Sequence, residues 1–509
     1  MEPTRALTLP QHRTLVAALQ AALGPRGVEC ERIETHISTL LLAGEFAYKL
    51  RKPIALPFLD FTTLAARAHD CEEELRLNRR TAPQLYLDVR PVRGTLAQPR
   101  IGEPGEASGA IDWLLRMRRF DNELLLDRLA ARGALTEADV DALARRVADF
   151  HAALPASPAA YGDPASVLAW ARANFAALGE AVETDLHDWS EREFERIAPR
   201  LALRRAQGRV REGHGDLHLG NIVKLDGEPL PFDAIEFNPA LRHGDTMSDA
   251  AFVFMDLWRH GLRALAWRFA SAYAERGGDH EGIALLPFFA VYRALVRAQV
   301  ATLRHDTAAL ARDLRTAREL TQLRRPRPLL LLTVGLSGSG KSTVALELLQ
   351  ALGAVRVRSD VERKRLAGLA ATARPSAQQT AQLYGAAMTQ RTYARLNALA
   401  ATLLAAGLNV IVDAAALRRH ERETLRALAA ECGADFRLIE CVAPEAVLRA
   451  RIARRQAEGH DASDADQEVL SLQLRICEIP ASEEAALRLD TDADPAVVRR
   501  RCLALVSRL

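Results

Sequence analysis

Leu329-Leu-Leu-Leu-Thr-Val334 is an apolar run, Gly335-Leu-Ser-Gly-Ser-Gly340-Lys341-Ser342-Thr343 follows it as a glycine-rich loop, and Val344 to Leu352 continues in a helical pattern. The loop fits GxxxxGK[ST] in the context that this pattern needs, a strand before it and a helix after it. Glycines let the backbone curl around an anion, so that successive N–H groups and the helix N-terminus face phosphate. Lys341 then reaches the β/γ-phosphates, and the Ser342 hydroxyl is placed to ligate Mg²⁺. Gly335, Ser337, Gly338, Ser339, Gly340 and Thr343 make up the rest of the cradle. An ordinary strand-to-helix turn would not need so complete a flanking pattern.

Downstream, strand and helix patterns alternate, which predicts an α/β domain with a parallel sheet over residues 329–509. Asn409-Val-Ile-Val412-Asp413 reads as a core strand ending in a carboxylate, the place for an aspartate that holds Mg²⁺ through water. Val355-Arg-Val-Arg-Ser-Asp360 reads as a third strand, with Asp360 at the edge where such sheets bind ligands and an acceptor hydroxyl can be held. Arg363, Lys364 and Arg365 behind it, taken singly, read as a solvated helix face. Arg449, Arg451, Arg454 and Arg455 run into Gly459-His-Asp-Ala-Ser-Asp464, a cationic helix and polar loop suited to a lid, with Arg454 the candidate phosphate contact. This region resembles the P-loop small-molecule kinases, the broad group of gluconate kinase, zeta toxin and polynucleotide kinase domains. The resemblance implies ATP as donor and phosphate transfer to a hydroxyl.

Upstream, Arg324-Arg325-Pro326-Arg327-Pro328 breaks the preceding helix, so 323–328 reads as a linker between a domain at 1–322 and one at 329–509, each expected to fold independently. The first hundred residues predict strands at Glu34 to Leu42 and Phe46 to Leu50 around an Ala43-Gly44-Glu45 turn. A helix at Leu64 to Arg80 and strands at Tyr86 to Val92 and Ile111 to Arg116 follow. Helical patterns dominate Glu123 to Leu203 and Ser248 to Thr321. Between them stands Glu212-Gly-His214-Gly-Asp216-Leu-His-Leu-Gly-Asn221, whose Asp and Asn have the spacing of a kinase catalytic loop. Asp216 suits a base that takes a hydroxyl proton, and Asn221 suits a metal ligand. Asp233, just beyond a short strand, stands where the second Mg²⁺ ligand belongs.

These residues resemble the aminoglycoside phosphotransferase family, relatives of the protein kinases, over about residues 30 to 320. The resemblance implies an α+β, protein-kinase-like fold with a small β-rich lobe and a helical lobe. Carried over, Asp216 is the catalytic base, Asn221 and Asp233 hold metal, and Lys49 holds phosphate. Glu74 is the chosen partner of Lys49, with Glu72 open. His214 orients the loop, Asp249 ties it down, and the strand Asp112 to Met117 is where the hinge to adenine would run. The glycine-rich loop of protein kinases has no counterpart. The pairing of the two domains resembles proteins described as bifunctional aminoglycoside phosphotransferase/ATP-binding proteins of the AAA family.

Length and composition agree with this division. A chain of 509 residues exceeds what one core serves, and 26% charged with 49% hydrophobic residues is ordinary for globular domains. A net charge of +3 predicts neither a dedicated nucleic-acid partner nor a membrane surface. No purely apolar run is long enough to span a bilayer, and Met1-Glu2-Pro3-Thr4 begins no signal pattern. Six cysteines without paired spacing predict reduced thiols in a cytoplasmic protein. Only five of the 68 cations are lysine, and two of these, Lys49 and Lys341, fall at the phosphate positions. Residues 240–322 carry nine acids and eleven arginines, which does not predict an acidic trough for a polycationic antibiotic. The sequence therefore predicts a bifunctional kinase that uses ATP and Mg²⁺ on small-molecule hydroxyl substrates, with oligomeric state undetermined. Two rivals stand beside it, a nucleotide-responsive regulator with one degenerate site and a nucleic-acid-end kinase in the C-terminal domain.

Overall fold

The structure is a computed structural model that describes residues 7–24, 30–56, 59–458 and 463–507. The chain divides into two compact units. Described residues within Met1–Leu135, Ala153–Asp163 and Ala202–Asp249 form the first; Thr136–Ala152, Pro164–Leu201 and Ala250–Leu509 supply the second.

In the first unit a six-stranded antiparallel sheet runs in the order Cys30–Glu34, Ser38–Ala43, Phe46–Arg51, Ala110–Arg118, Tyr86–Gly94, Pro99–Ile101. The single strand expected from Glu34 to Leu42 is two. Thr35 reverses the chain by accepting the Ser38 N–H on its hydroxyl at 2.9 Å, and Cys30–Glu34 pairs back along the edge. Gly44, at φ +57°, makes the next hairpin turn as expected. Thr63 caps the helix Leu64–Asn78, whose buried face carries Arg67, Asp70, Cys71, Glu74, Leu77 and Asn78. A helix that buries this many polar groups needs partners for all of them. Leu85, Tyr86 and Leu115 join in one apolar cluster with Val223 and Leu230, so the sheet anchors the hairpin Ile222–Leu225/Glu228–Pro231 that follows the Asp216–Asn221 loop.

Five parallel strands form the sheet of the second unit, in the order Ala354–Arg358, Asn409–Asp413, Leu329–Val334, Asp435–Val442, Leu487–Asp490. The strand before the glycine loop is central and buried throughout, as is Asn409–Asp413. Strands added on one side come before those added on the other. The winding therefore reverses at the C-terminal end of Leu329–Val334, where such sheets bind ligands. The helices Arg263–Gly277, Leu286–Leu303 and Thr307–Thr321 belong to this unit, and the boundary falls between Asp249 and Ala250. The arginine–proline stretch of 324–328 lies inside it. His280–Leu303 is long and apolar enough to span a bilayer by length and composition, although Arg293 and Arg297 interrupt it, and 72% of its most apolar window is buried in the protein. All six cysteines are free thiols.

Candidate active sites

Strand Phe46–Arg51 points Lys49 and Arg51 to one face, two residues apart. Lys49 Nζ donates to Glu74 Oε1 at 2.8 Å and to Asp233 Oδ1 at 3.0 Å. Of the two glutamates left open, Glu74 is fully buried and makes the pair, while Glu72 is exposed. Burial pushes the Lys49 ammonium down, but Asp233 and Glu74 together hold it above its ordinary value. Desolvation in the cleft raises the Asp233 carboxyl, and Lys49 more than offsets it, so Asp233 stays ionised to lower pH than usual. Asp233 has φ +62°, a conformation that a non-glycine residue adopts at a cost. Its N–H donates to the Tyr86 hydroxyl at 3.1 Å, and the next N–H donates to Asn78 Oδ1 at 2.8 Å.

The loop carrying Asp216 is tied at both ends. Asp249 accepts the N–H groups of His214 at 2.6 Å and Gly215 at 3.0 Å. A Cβ on Gly213 would lie 2.3 Å from the Asp249 carboxylate, and Gly215 has φ +83°, so this tie requires both glycines. Buried His214 bridges from Phe232 O, 3.0 Å from Nε2, to the Asp216 N–H, 3.3 Å from Nδ1. Burial lowers its pKa, which keeps the ring neutral for that pair of bonds. Asn221 Nδ2 donates to Asp216 Oδ2 at 3.0 Å, and His218 Nε2 lies 3.5 Å from the same oxygen. Asn221 and Asp233 offer the oxygen donors that Mg²⁺ prefers. Arg118, the last residue of strand Ala110–Arg118, and Arg119 to Asn122 after it line a cleft of about 670 Å³ with Gly44, Glu45 and Phe46, and the strand residues Asp112 to Met117 are not part of that lining.

The second site surrounds the glycine loop. Gly335, Gly338 and Gly340 have φ of +149°, +82° and +80°. A Cβ on Gly335 would meet Cys441 O at 2.5 Å, and one on Gly338 would meet Leu448 O at 2.8 Å. The loop opens into a cleft of about 1080 Å³ that also meets Asp360, Asp413, Arg358 and Arg454. Lys341 Nζ donates to Leu336 O at 2.9 Å, within its own loop. Burial pushes this ammonium below its ordinary value, only partly opposed by Asp413. Asp413 Oδ2 is buried with no hydrogen-bond partner, and Ser342 shares its cleft. A carboxylate oxygen without a hydrogen-bond donor, in one cleft with a hydroxyl, offers the hard oxygen donors that a divalent cation takes. Asp360 lies in the first turn of helix Ser359–Leu366 rather than on the strand, which ends at Arg358.

The lid arginines divide. Arg451 donates to Gly338 O at 3.2 Å and to Thr491 O at 2.7 Å, so it braces the loop. Arg455 donates to Ala465 O at 2.7 Å, and Arg449 pairs with Glu445. Arg454 is exposed on the cleft wall. Of Gly459-His-Asp-Ala-Ser-Asp464, residues 459–462 lie outside the described residues. Lys364 is no solvated residue. It is 2% exposed and binds Ala371 O, Ala373 O and Asp464, because the chain after its helix folds back over it.

An uncharacterized protein of Mycobacterium tuberculosis is 30% identical to this chain over 444 residues, 84% of this chain and 87% of that protein. The chain belongs to its family. A match of that length exceeds the whole of 1–322, so it takes in residues on both sides of the 323–328 stretch. The family model for an AAA domain matches residues 330–480. Among solved structures, aminoglycoside 2'-phosphotransferase-IIIa in its GDP complex is 14% identical, covering 60% of this chain and 97% of that one with a TM-score of 0.38. A gluconokinase from Sinorhizobium meliloti 1021 is 24% identical, covering 36% and 94% with a TM-score of 0.27.

In this member of the family, several side chains complete the sites without a sequence motif to mark them. Arg51 is buried among Asp70, Glu74 and Glu236, bonded to all three. Burial, with Glu74 adding to it and Arg51 opposing, leaves the Glu236 carboxyl pushed up to about 8. The signal for Arg51 was its two-residue spacing from Lys49 on one strand face. Gln473 Oε1 accepts the Ser337 N–H at 2.8 Å, a contact across 136 residues that no local pattern announces.

Proposed function

We propose that the chain is an ATP-dependent phosphotransferase with two Mg·ATP sites, each passing a γ-phosphoryl group to a hydroxyl of a small molecule. The observation that supports this most is the convergence of Lys49, Glu74 and Asp233 within 3.0 Å contacts, beside a loop on which Asn221 holds Asp216. In this reading Asp216 takes the proton of the acceptor hydroxyl, and Asn221 fixes the carboxylate that receives it. Lys49 supplies countercharge to phosphate, and Glu74 keeps its ammonium in place. Asn221 and Asp233 hold Mg²⁺ here, and Ser342 and Asp413 hold it at the second site. Bound at these residues, Mg²⁺ would supply charge neutralisation to the phosphates. At the second site Lys341 provides countercharge, Asp360 receives the acceptor proton, and Arg454 contacts phosphate. Gly335, Ser337, Gly338, Ser339, Gly340 and Thr343 line the phosphates with backbone and hydroxyl donors.

The test is a screen of small-molecule hydroxyl compounds for ATP-dependent phosphorylation by the full chain, repeated with Asp216→Asn and with Lys341→Ala. A product lost with one variant and kept with the other assigns a reaction to each site. A chain that binds ATP but phosphorylates nothing in the screen would favour a nucleotide-responsive regulator.

A further inference from the structure

The edge strand of the parallel sheet, Ala354–Arg358, is not open to solvent along its free side. The Arg356 N–H donates to the Ser271 hydroxyl at 3.1 Å, and Arg356 O lies 3.3 Å from His280 Nε2. Ser271 belongs to helix Arg263–Gly277, from the part of the chain that the sequence places with the N-terminal half. An uncovered edge strand invites pairing with other chains, so a cap of this kind has a structural reason of its own. The same helix goes further, however. Glu275 places one carboxylate oxygen 3.1 Å from Arg356 Nη2 and the other 3.2 Å from Arg358 Nη1.

Both arginines continue into the P-loop site. Arg356 Nη1 donates to Ser342 O at 3.4 Å, on the first turn of the helix that begins at Lys341. Arg358 lines the cleft, and its Nε forms an ion pair with Asp413 Oδ2 at 3.6 Å that is too long for a hydrogen bond, so this carboxylate oxygen has no hydrogen-bond donor. Burial raises the Glu275 carboxyl, but Arg356 and Arg358 outweigh this and keep it ionised. A guanidinium held by two carboxylates is shared between them. Without Glu275 the charge of Arg358 would settle on Asp413 and compete with a cation there.

We propose that Glu275 is a positioning residue of the P-loop site: it draws Arg358 away from Asp413, leaving that carboxylate for Mg²⁺, and steadies Arg356 against the turn that carries Ser342. The proposal rests on reading this cleft as a Mg·nucleotide site. It makes that site dependent on a helix about sixty residues upstream of its motif, and a chain beginning at 328 would lack it.

Nucleotide binding by the full chain, followed with a fluorescent ATP analogue while Mg²⁺ is titrated, tests this without any acceptor. The component lost in Lys341→Ala identifies the P-loop site. Glu275→Gln should raise the Mg²⁺ concentration at half-maximal binding of that component by roughly tenfold, the scale of one partly screened charge pair. Glu275→Gln combined with Arg358→Met should return it to within about threefold of the wild type, because the competing cation is gone. A lost edge cap alone would give no such recovery. A midpoint unchanged in Glu275→Gln, or a double variant no better than the single one, overturns the proposal while leaving the P-loop reading intact. If Lys341→Ala removed no binding component, the P-loop reading itself would fall, and the proposal with it.

Discussion

Lys49 and Lys341 are assigned the same task at two sites, and the protein prepares them in opposite ways. Lys49 sits on a strand between two carboxylates that hold its charge in place. Lys341 rests on a carbonyl of its own loop, and burial depresses its pKa. The first site buries an ionic network of Arg51, Asp70, Glu74 and Glu236 behind its lysine. The second relies on backbone N–H groups, with Arg451 and Gln473 bracing the loop from outside. A site built from side-chain charges is assembled in advance and is costly to disturb. A site built from backbone amides can leave its lysine waiting for the phosphate charge.

The contrast breaks most sharply at Asp216. Asp216→Asn should keep nucleotide binding in the first unit and lose about 10²–10⁴ in phosphoryl transfer there, the usual range for a missing general base. Transfer at the wild-type rate would mean that another group takes the proton. Arg51→Met should show what advance assembly costs. It removes the guanidinium that Asp70, Glu74 and Glu236 share, leaving only Glu74 with a cation, Lys49, and removing one partner from a buried ion pair costs about 3–5 kcal/mol. Denaturant unfolding should show that loss for the first unit while the P-loop site still binds nucleotide. A change below about 1 kcal/mol would show that the cluster is balanced without Arg51.

The smallest effect expected is in pH dependence. A depressed ammonium loses its proton at lower pH, so kcat/KM at the P-loop site should fall first as pH rises toward the ordinary lysine value of 10.5. The first site, with Lys49 held above that value, should keep its activity through the same range. Coincident alkaline limbs would erase the distinction.

Legibility followed distance along the chain. The glycine loop was readable because strand, loop, lysine and helix are contiguous and each obeys a backbone rule. The helix face around Cys71 led to Glu74, since a partner three residues on shares that face and Glu72 does not. The reversal at Thr35 was hidden because an extended run gives no apolar break, and the turn is marked by hydrogen bonds between Thr35 and Ser38, backbone and hydroxyl alike. Lys364 looked solvated because the Asp464 that buries it comes 100 residues later. Glu275 and Arg358 are 83 residues apart, and nothing local in either stretch points to the other.

Two separate phosphotransfer centres are tested most directly by crossing Asp216→Asn with Lys341→Ala. Turnover would be measured in the wild type, each single variant and the double variant, with an acceptor for each site or as slow ATP hydrolysis. Loss of the Lys341 countercharge should cost its own site about 3 kcal/mol, roughly a hundredfold in rate, and leave the Asp216 reaction unchanged. The double variant should then show both losses side by side. Equal loss of both reactions in either single variant would contradict this and point to one composite site.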